Sequence, residues 1–329
     1  MINNKFAMAK IQGKIGIDVS KDTFDVNFVD KDGKEVHSQY NNDAKGMRRF
    51  VSALDRCCEA LMEATGNYHV RLAYSLYDAG IRVYVVNPLV IKRYSQMTMM
   101  RTKTDKADSR TIRRYLEERG CKHEPWKPDP EWCVKMRQVI GQRDHYNKCL
   151  GMTLNRRHAM ERSKVYDKLL KEQLDDDMSL YAKRIKACDA ELARLADSMC
   201  KEDVELGSSI PGIGSLTAMM LVAYTNRMTT FDDSRQLSSY FGLSPRCYDS
   251  GTSVHGRARI CRMGMGGVRK TLYMCAIVAK RHNRACRELF DRLVARGKEK
   301  KLAIIAVANK LLRQAFAIMK SRSAYDPAI

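Results

Sequence analysis

Residues 14–41 carry the pattern that most narrows the fold. In KIGIDVS, Ile15, Ile17 and Val19 alternate with Gly16 and Asp18; FDVNFVD follows, DKDG supplies a turn, and KEVHSQY returns. Side chains two apart share one face of a strand, so this stretch predicts adjacent antiparallel strands with one apolar face. Asp18 falls within or at the end of the first of them.

The period then changes. From Ala44 to about Cys57, the positions of Met47, Phe50, Val51 and Leu54 have helical spacing, and ALMEATG reads as a buried strand that ends in a glycine turn, with Glu63 near its end. A helix around Val70 to Ala79 and the strand IRVYVVNP, closed by Pro88, come next. Past a basic, Met-containing stretch, Thr104 can cap a helix that carries Asp105, Asp108, Ile112 and Leu116.

PWKPDP, Pro125 to Pro130, reads as a linker. From Glu131 to about Glu205 the chain is polar and lacks proline, with Gly141 and Gly151 as its only breaks, and its charges alternate at helical spacing. This predicts two long helices, with coiled-coil character despite irregular heptads. A third segment opens near Leu206 with SIPGIGSLTAMMLVAY, crosses a Gly- and Ser-rich loop and closes with KLAIIAVANKLLRQAFAIMK. The expected architecture is α/β plus all-α: an α/β domain over 1–127, a helical segment over 128–205 and a mostly helical domain over 206–329.

Charge bounds the partner class. The chain has 59 Lys+Arg against 38 Asp+Glu, a formal net charge of +21 over 329 residues, far more than solubility requires, so a polyanion, nucleic acid first, is the expected partner. With 44% hydrophobic residues the chain can build real cores and is no basic tail. No apolar run reads as a membrane span of roughly 20 residues, and MINNKFAMAKIQ lacks the apolar centre of a secretory signal. The expected location is the bacterial cytoplasm, at the nucleoid, with no membrane partner. The eleven cysteines are scattered without a C-x-x-C pair, which predicts reduced thiols. The seven histidines show no zinc spacing.

MRTKTDKADSR, Met100 to Arg110, sets two aspartates among four cationic side chains. Asp105 and Asp108, three apart on a helix, have Cβ atoms roughly 5–6 Å from each other on one face. Asp18 and Glu63 are expected to end neighbouring strands, which would gather four carboxylates at one sheet edge. They repel unless a divalent cation neutralises them. Paired Mg²⁺ ions with oxygen ligands serve phosphoryl transfer in this way, and Arg101, Lys103 and Lys106 would hold phosphates. On its own, D-x-x-D is better read as helix-end charge, with Asp105 at the helix N-terminus and Asp108 paired to Arg113 or a lysine. A strand-borne Asp beside a hairpin, a strand-end Glu and a D-x-x-D helix, in that order, are more specific and match a ribonuclease H-like core.

GIDVSKDTFDV, MEATGNY and RTKTDKADSRTI resemble the three acidic blocks of the DEDD transposases of the IS110 insertion-sequence family, relatives of the Piv/MooV DNA invertases. The resemblance implies a RuvC-like first domain, with the four acidic positions on Asp18, Glu63, Asp105 and Asp108, and Mg²⁺-dependent DNA chemistry.

It extends to the third segment. PGIG, Pro211 to Gly214, resembles the turn of helix-hairpin-helix modules, whose exposed N–H groups, here around Gly212 and Gly214, bind a phosphate; an ordinary helix–helix turn is the alternative. FGLSPRCYDSGTSVHGRARICRMGMGGVRKTLY holds Ser244, Ser250 and Ser253 among Arg246, Arg257, Arg259, Arg262, Arg269 and Lys270. A serine needs activation to act as a nucleophile, and the sequence shows none directly. By the resemblance, the family's nucleophilic serine falls on Ser250, before Gly251, with Ser253 as second choice, and the basic residues clamp the phosphate. RMGMGG stands where the family more often has a Gly-Asn step.

The resemblance further implies a structured bridge RNA as guide, donor and target double-stranded DNA as substrates, and dimers that pair into tetramers. The expected activity is a transposase that cuts and rejoins DNA through a phosphoserine. An unguided Piv-like invertase, a Mg²⁺-dependent junction nuclease with a structural Ser250, and a non-catalytic basic binder are the alternatives.

Overall fold

The computed structural model describes residues 10–99, 104–250, 254–260 and 263–327, without the side chains of 105, 121, 246–250 and 254–259. The chain forms two compact units, Met1–Pro128 and Asp129–Ile329.

In the first unit, β1 (Lys14–Val19), β2 (Thr23–Val29), β3 (Glu35–Asn41), β4 (Glu59–Glu63) and β5 (Arg82–Val86) make one mixed sheet in the order β3-β2-β1-β4-β5. The two hairpins pair antiparallel as their alternation predicts, and the turn between β2 and β3 is closed by Asp30, whose Oδ1 accepts from the N–H groups of Asp32 (3.0 Å) and Lys34 (2.8 Å). β4 lies parallel to both β1 and β5, so the carboxyl ends of these three strands share one edge.

Each sheet face has its own cover. Ile15, Ile17, Val19, Phe24, Val26 and Met62 pack with Met47 and Phe50 of α1 (Ala44–Ala53) and Leu72 and Leu76 of α2 (Val70–Asp78). On the other face Leu61, Tyr84 and Val86 meet Ile91 and Tyr94 of α3 (Pro88–Met97) and Ile112, Tyr115 and Leu116 of α4 (Asp105–Arg119). Helix α3 corrects the sequence-based expectation, which took Pro88 only as the end of a strand. Asn87 caps the helix by accepting from Leu89 N–H (2.9 Å), and Pro88 occupies its first turn, where proline sacrifices no hydrogen bond. The linker's Trp126 is pinned to this unit: its N–H donates to Val83 O (2.7 Å), and its ring meets Tyr74 and Tyr77 edge-on.

The second unit opens with α5 (Glu131–Glu161) and α6 (Lys168–Met199), antiparallel as the ion pairs Arg143–Asp189 and Arg157–Asp175 require. Gly141 and Gly151 lie inside α5 without ending it. Only the base of this hairpin enters the core, through Met136, Ile140, Leu192 and Leu195. The rest of that core comes from α7 (Lys201–Ser208), α8 (Ser215–Thr225), α9 (Ser234–Tyr240), α10 (Gly266–His282), α11 (Arg284–Ala295) and α12 (Lys300–Ser321). By length and composition α12 is apolar enough to cross a membrane, a property the sequence reading did not find; here 56% of its apolar window is buried, with Val307, Leu311, Leu312 and Ala315 inside the unit. The stretch expected to be loop contains a two-stranded ribbon, β6 (Pro245–Ser250) with β7 (Val254–Ile260). Gly251 and Ser253 lie outside the described residues.

Burial pushes the thiols of Cys58, Cys133, Cys200 and Cys286 up to about 11. Reactivity belongs to the thiolate. Alkylation of the native protein near pH 8 should therefore leave these four intact while exposed Cys57 reacts, and urea should make all of them reactive. Mapping by mass spectrometry checks this, and labelling of Cys133 or Cys200 in folded protein would contradict it.

Candidate active site at the carboxyl edge of the sheet

The last parallel pair between β1 and β4 is Ile17 with Met62. One residue further stand Asp18 and Glu63, both half-buried. Because side chains alternate, Asp18 shares a face with Gly16, and Glu63 shares one with Leu61. Leu61 packs against α4, and a Cβ at Gly16 would run into Ser109 O and the backbone of Arg113. Asp18 and Glu63 therefore stand on the α4 side of the sheet. This is the edge where α/β sheets ordinarily bind ligands.

Helix α4 crosses β1 in the opposite direction. Lys14 Nζ donates to Leu116 O (3.4 Å) and Glu117 O (3.3 Å), while Gly16 lies under Ser109 and Arg113. Two residues of strand advance about 6.6 Å and four residues of helix about 6 Å. The same course continued from Gly16 to Asp18 brings the first turn of α4, with the backbones of Asp105 and Asp108, over Asp18. Thr104 starts that turn as expected, its Oγ1 accepting from Ala107 N–H (3.2 Å).

A polar layer fixes the helix in place. Arg113, buried, donates from Nε to Asn27 Oδ1 (2.7 Å) and from Nη1 to Glu117. Glu35 accepts from Asn27 Nδ2 (2.9 Å) and from Arg110. Burial raises the Glu35 pKa, but the bonds from Arg110 and Asn27 prevail and hold it below its ordinary value. The sequence reading also missed Asp25. It is the cross-strand partner of Asp18, is 5% exposed, and is held by His37 Nε2 (2.8 Å) and Gln39 Nε2 (3.2 Å). The signal was present in TFDVNFV, where Asp25 and Asn27 alternate with the buried Phe24, Val26 and Phe28.

The acidic residues offer only oxygen donors, the ligand type of Mg²⁺ and similar hard divalent cations, so their chemistry fits such an ion. Among the described side chains no three His, Cys, Asp or Glu groups converge on one point; that of Asp105 lies outside the description. Lys106 is exposed, and Arg101 and Lys103 lie outside the described residues.

In the second unit, Ser250 ends β6, paired with Val254 as the last rung before the ribbon tip, and Asp249 faces His255 one rung back. Arg246, Arg257 and Arg259 belong to the same ribbon, and Arg246 pairs with Arg259. Ser253 and Arg262 lie outside the described residues. Arg269 donates from Nη1 to Phe241 O (3.0 Å) and Met263 O (3.3 Å), tying the start of α10 to the end of α9, whereas Lys270 is exposed. In the Pro211–Gly214 turn, Gly212 has φ +107°, and a Cβ there would meet Ala279 Cβ at 2.6 Å, so the missing side chain lets the turn pack closely on α10. Gly214 is exposed at the start of α8, which has no side-chain cap.

Residues 15–161 match the DEDD transposase domain of the IS110 family, and residues 205–291 match the transposase domain of the IS116/IS110/IS902 family. This chain belongs to the IS110 family of transposases. It is 29% identical to a pilin gene-inverting protein of Moraxella bovis over 96% of its own length and 98% of the relative's. It is also 25% identical to the transposase for insertion sequence element IS1111A of Coxiella burnetii, over 84% and 86% of the two chains. The protein is thus a DNA transposase or recombinase, an enzyme that binds DNA, and its DEDD domain points to dependence on a divalent metal.

Gly16→Ala should destabilise the first unit by roughly 3 kcal/mol, because the methyl group meets backbone that no rotamer change can move. Asn27→Leu should cost about 2 kcal/mol by removing the acceptor that buried Arg113 uses. Urea unfolding of each variant measures both values, and a wild-type midpoint for Gly16→Ala would refute the close approach of α4.

Proposed function

We propose that this transposase cuts and rejoins donor and target DNA through a covalent phosphoserine. Asp18, Glu63, Asp105 and Asp108 would hold Mg²⁺ in an RNase H-like (RuvC-like) domain over residues 1–127. The observation that carries the proposal is the meeting of the Asp18 and Glu63 strand ends beneath the first turn of α4. Residues 128–205 form the helical segment of this scheme and 206–329 the serine-bearing domain.

Ser250 supplies the nucleophile. Its Oγ attacks a backbone phosphorus, an O–P bond forms, and the bond to one ribose oxygen breaks, leaving that strand with a free hydroxyl. Attack by the hydroxyl of the exchanged strand reverses the step and frees the serine. Mg²⁺ bound at the acidic site would supply charge stabilisation for the phosphoryl group in this exchange. The cations of the ribbon and its surroundings, Arg246, Arg257, Arg259, Arg262, Arg269 and Lys270, position phosphate in line, and Arg101, Lys103 and Lys106 hold it beside the acidic edge. Gly212 and Gly214 contribute backbone contacts to a strand. A bridge RNA selects the sites by base pairing, leaving the protein to read backbone and shape, and dimers pair into tetramers around two duplexes.

A second reading, a site-specific invertase that needs no guide, is favoured by the near full-length similarity to the Moraxella pilin gene-inverting protein. One experiment separates the two. Protein, Mg²⁺, RNA transcribed from the element's flanks, and labelled donor and target DNA should yield a protein–DNA adduct that Ser250→Ala abolishes. Asp18→Asn should reduce strand exchange by about 10³-fold or more, with RNA binding intact in both variants. Adducts formed without RNA favour the invertase. Free-ended cuts without adduct would refute the serine mechanism.

A further inference from the structure

Helix α12 is apolar on the sides that enter the core, yet Asn309, Lys310, Arg313 and Gln314 follow one another at the spacing of a single helical face. That face is the floor and one wall of a surface trough. Two cavities of about 580 and 630 Å³ adjoin there and share Lys310, Gln314 and Ala317. The opposite wall is α11, which contributes Arg284 to one cavity and Arg292 to the other.

The cavity that holds Arg284 also carries the acidic Glu288 and Asp326, but the other three cations of the trough have no ion pair among the described residues. Arg284 is paired with Glu288 (2.9 Å). Arg292, Lys310 and Arg313 have no ion-pair partner among the described residues, and no acidic side chain lines the cavity that holds all three. Asn309 Oδ1 accepts from Ser238 Oγ (2.8 Å), which turns its amide N–H₂ to the donor side. Gln314 Oε1 is engaged by Asn283 Nδ2 (3.1 Å), leaving its own N–H₂ as donor. The floor between them includes the small side chains Ala306 and Ala317. Around Arg292, Lys310 and Arg313 the result is a channel rimmed by donors and cations with a shallow floor. Of the trough's two aromatic rings, Phe316 is covered by Lys320, with Nζ 5.5 Å from the ring centroid, and half-buried Tyr325, in the cavity that holds Arg284, is tied by its hydroxyl to Asn283 Oδ1 (3.2 Å).

From this arrangement we propose that the α11–α12 trough is a track for the phosphodiester backbone of duplex DNA, with Arg292, Lys310 and Arg313 as the groups that meet phosphates. The inference rests on the DNA-acting reading of the protein and adds a surface that lies apart from the serine ribbon and the acidic edge in the chain. Cations and amide donors along a shallow floor suit backbone recognition, which positions a duplex without reading its sequence. Recognition of single-stranded RNA relies on open rings for stacking; here Phe316 is covered by Lys320, and Tyr325 is half-buried and tied to Asn283.

The test is the salt dependence of binding to a duplex of random sequence, measured by fluorescence anisotropy on the full chain. The triple variant Arg292→Gln, Lys310→Gln, Arg313→Gln should bind about 30- to 100-fold more weakly near 0.15 M salt. Its slope of log K against log salt should be smaller by roughly 2.7, about 0.9 for each phosphate that the variant no longer neutralises. Affinity for a structured RNA hairpin should stay at the wild-type level. A matched removal of charge at Lys164, Lys168 and Lys171, exposed around the turn between α5 and α6, should change duplex binding little. If half-buried Lys310 proves necessary for folding, the double variant of exposed Arg292 and Arg313 should lower the slope by about 1.8. Wild-type affinity and slope in the variant, an equal weakening in the matched control, or a weakening for RNA alone would each overturn the proposal. Failure of the wild-type protein itself to bind duplex DNA would instead sink the DNA-acting reading, and the track with it.

Discussion

The first unit depends on one close approach, that of α4 to Gly16 of β1. With any side chain at residue 16 the helix backbone would have to lift off the sheet. The contact does more than pack. It sets the height of α4 above the strands, and the antiparallel crossing set by Lys14 at one end carries the other end to the edge where Asp18 and Glu63 stand. A missing Cβ thus lets the backbone of the first turn of α4 reach the edge where two strands from distant parts of the chain end.

Beneath that helix, polar groups supply what apolar ones could not. Leu61, Ile112 and Leu116 hold α4 down, but apolar packing alone tolerates rotation about the helix axis. Arg113 on Asn27, and Arg110 on a Glu35 that also accepts from Asn27, are directional and fix the rotation. A buried guanidinium without acceptors is costly, so the network favours the orientation that satisfies it. Asp25, held between His37 and Gln39 beside Asp18, extends the same polar layer toward the acidic edge.

The sequence made the strands legible because period-two alternation is local, and it made Thr104 legible as a cap because capping spans three residues. It placed Asp18 and Glu63 at the ends of neighbouring strands but could not give the parallel register of those strands, since register is a long-range property. Helix α3 was hidden because Pro88 ends one element and begins the next. The ribbon carrying Ser250 was hidden because its glycines and serines have low strand preference, and pairing between β6 and β7 prevails over it. Asp25 went unnoticed as a polar residue inside a strand whose other face was conspicuous.

Net charge named a partner class without saying which cations meet it. Many arginines are engaged internally: Arg82 on Glu59, Arg143 on Asp189, Arg157 on Glu161 and Asp175, and Arg227 and Arg322 on the buried Asp203. Arg269 is committed to carbonyl oxygens. A guanidinium locked on a carboxylate contributes little to long-range attraction, because the pair is nearly neutral beyond a Debye length. The excess of +21 is therefore concentrated in cations that the fold leaves unpaired. The path of a bound polyanion over such a protein follows those residues and not the density of Lys and Arg in the sequence.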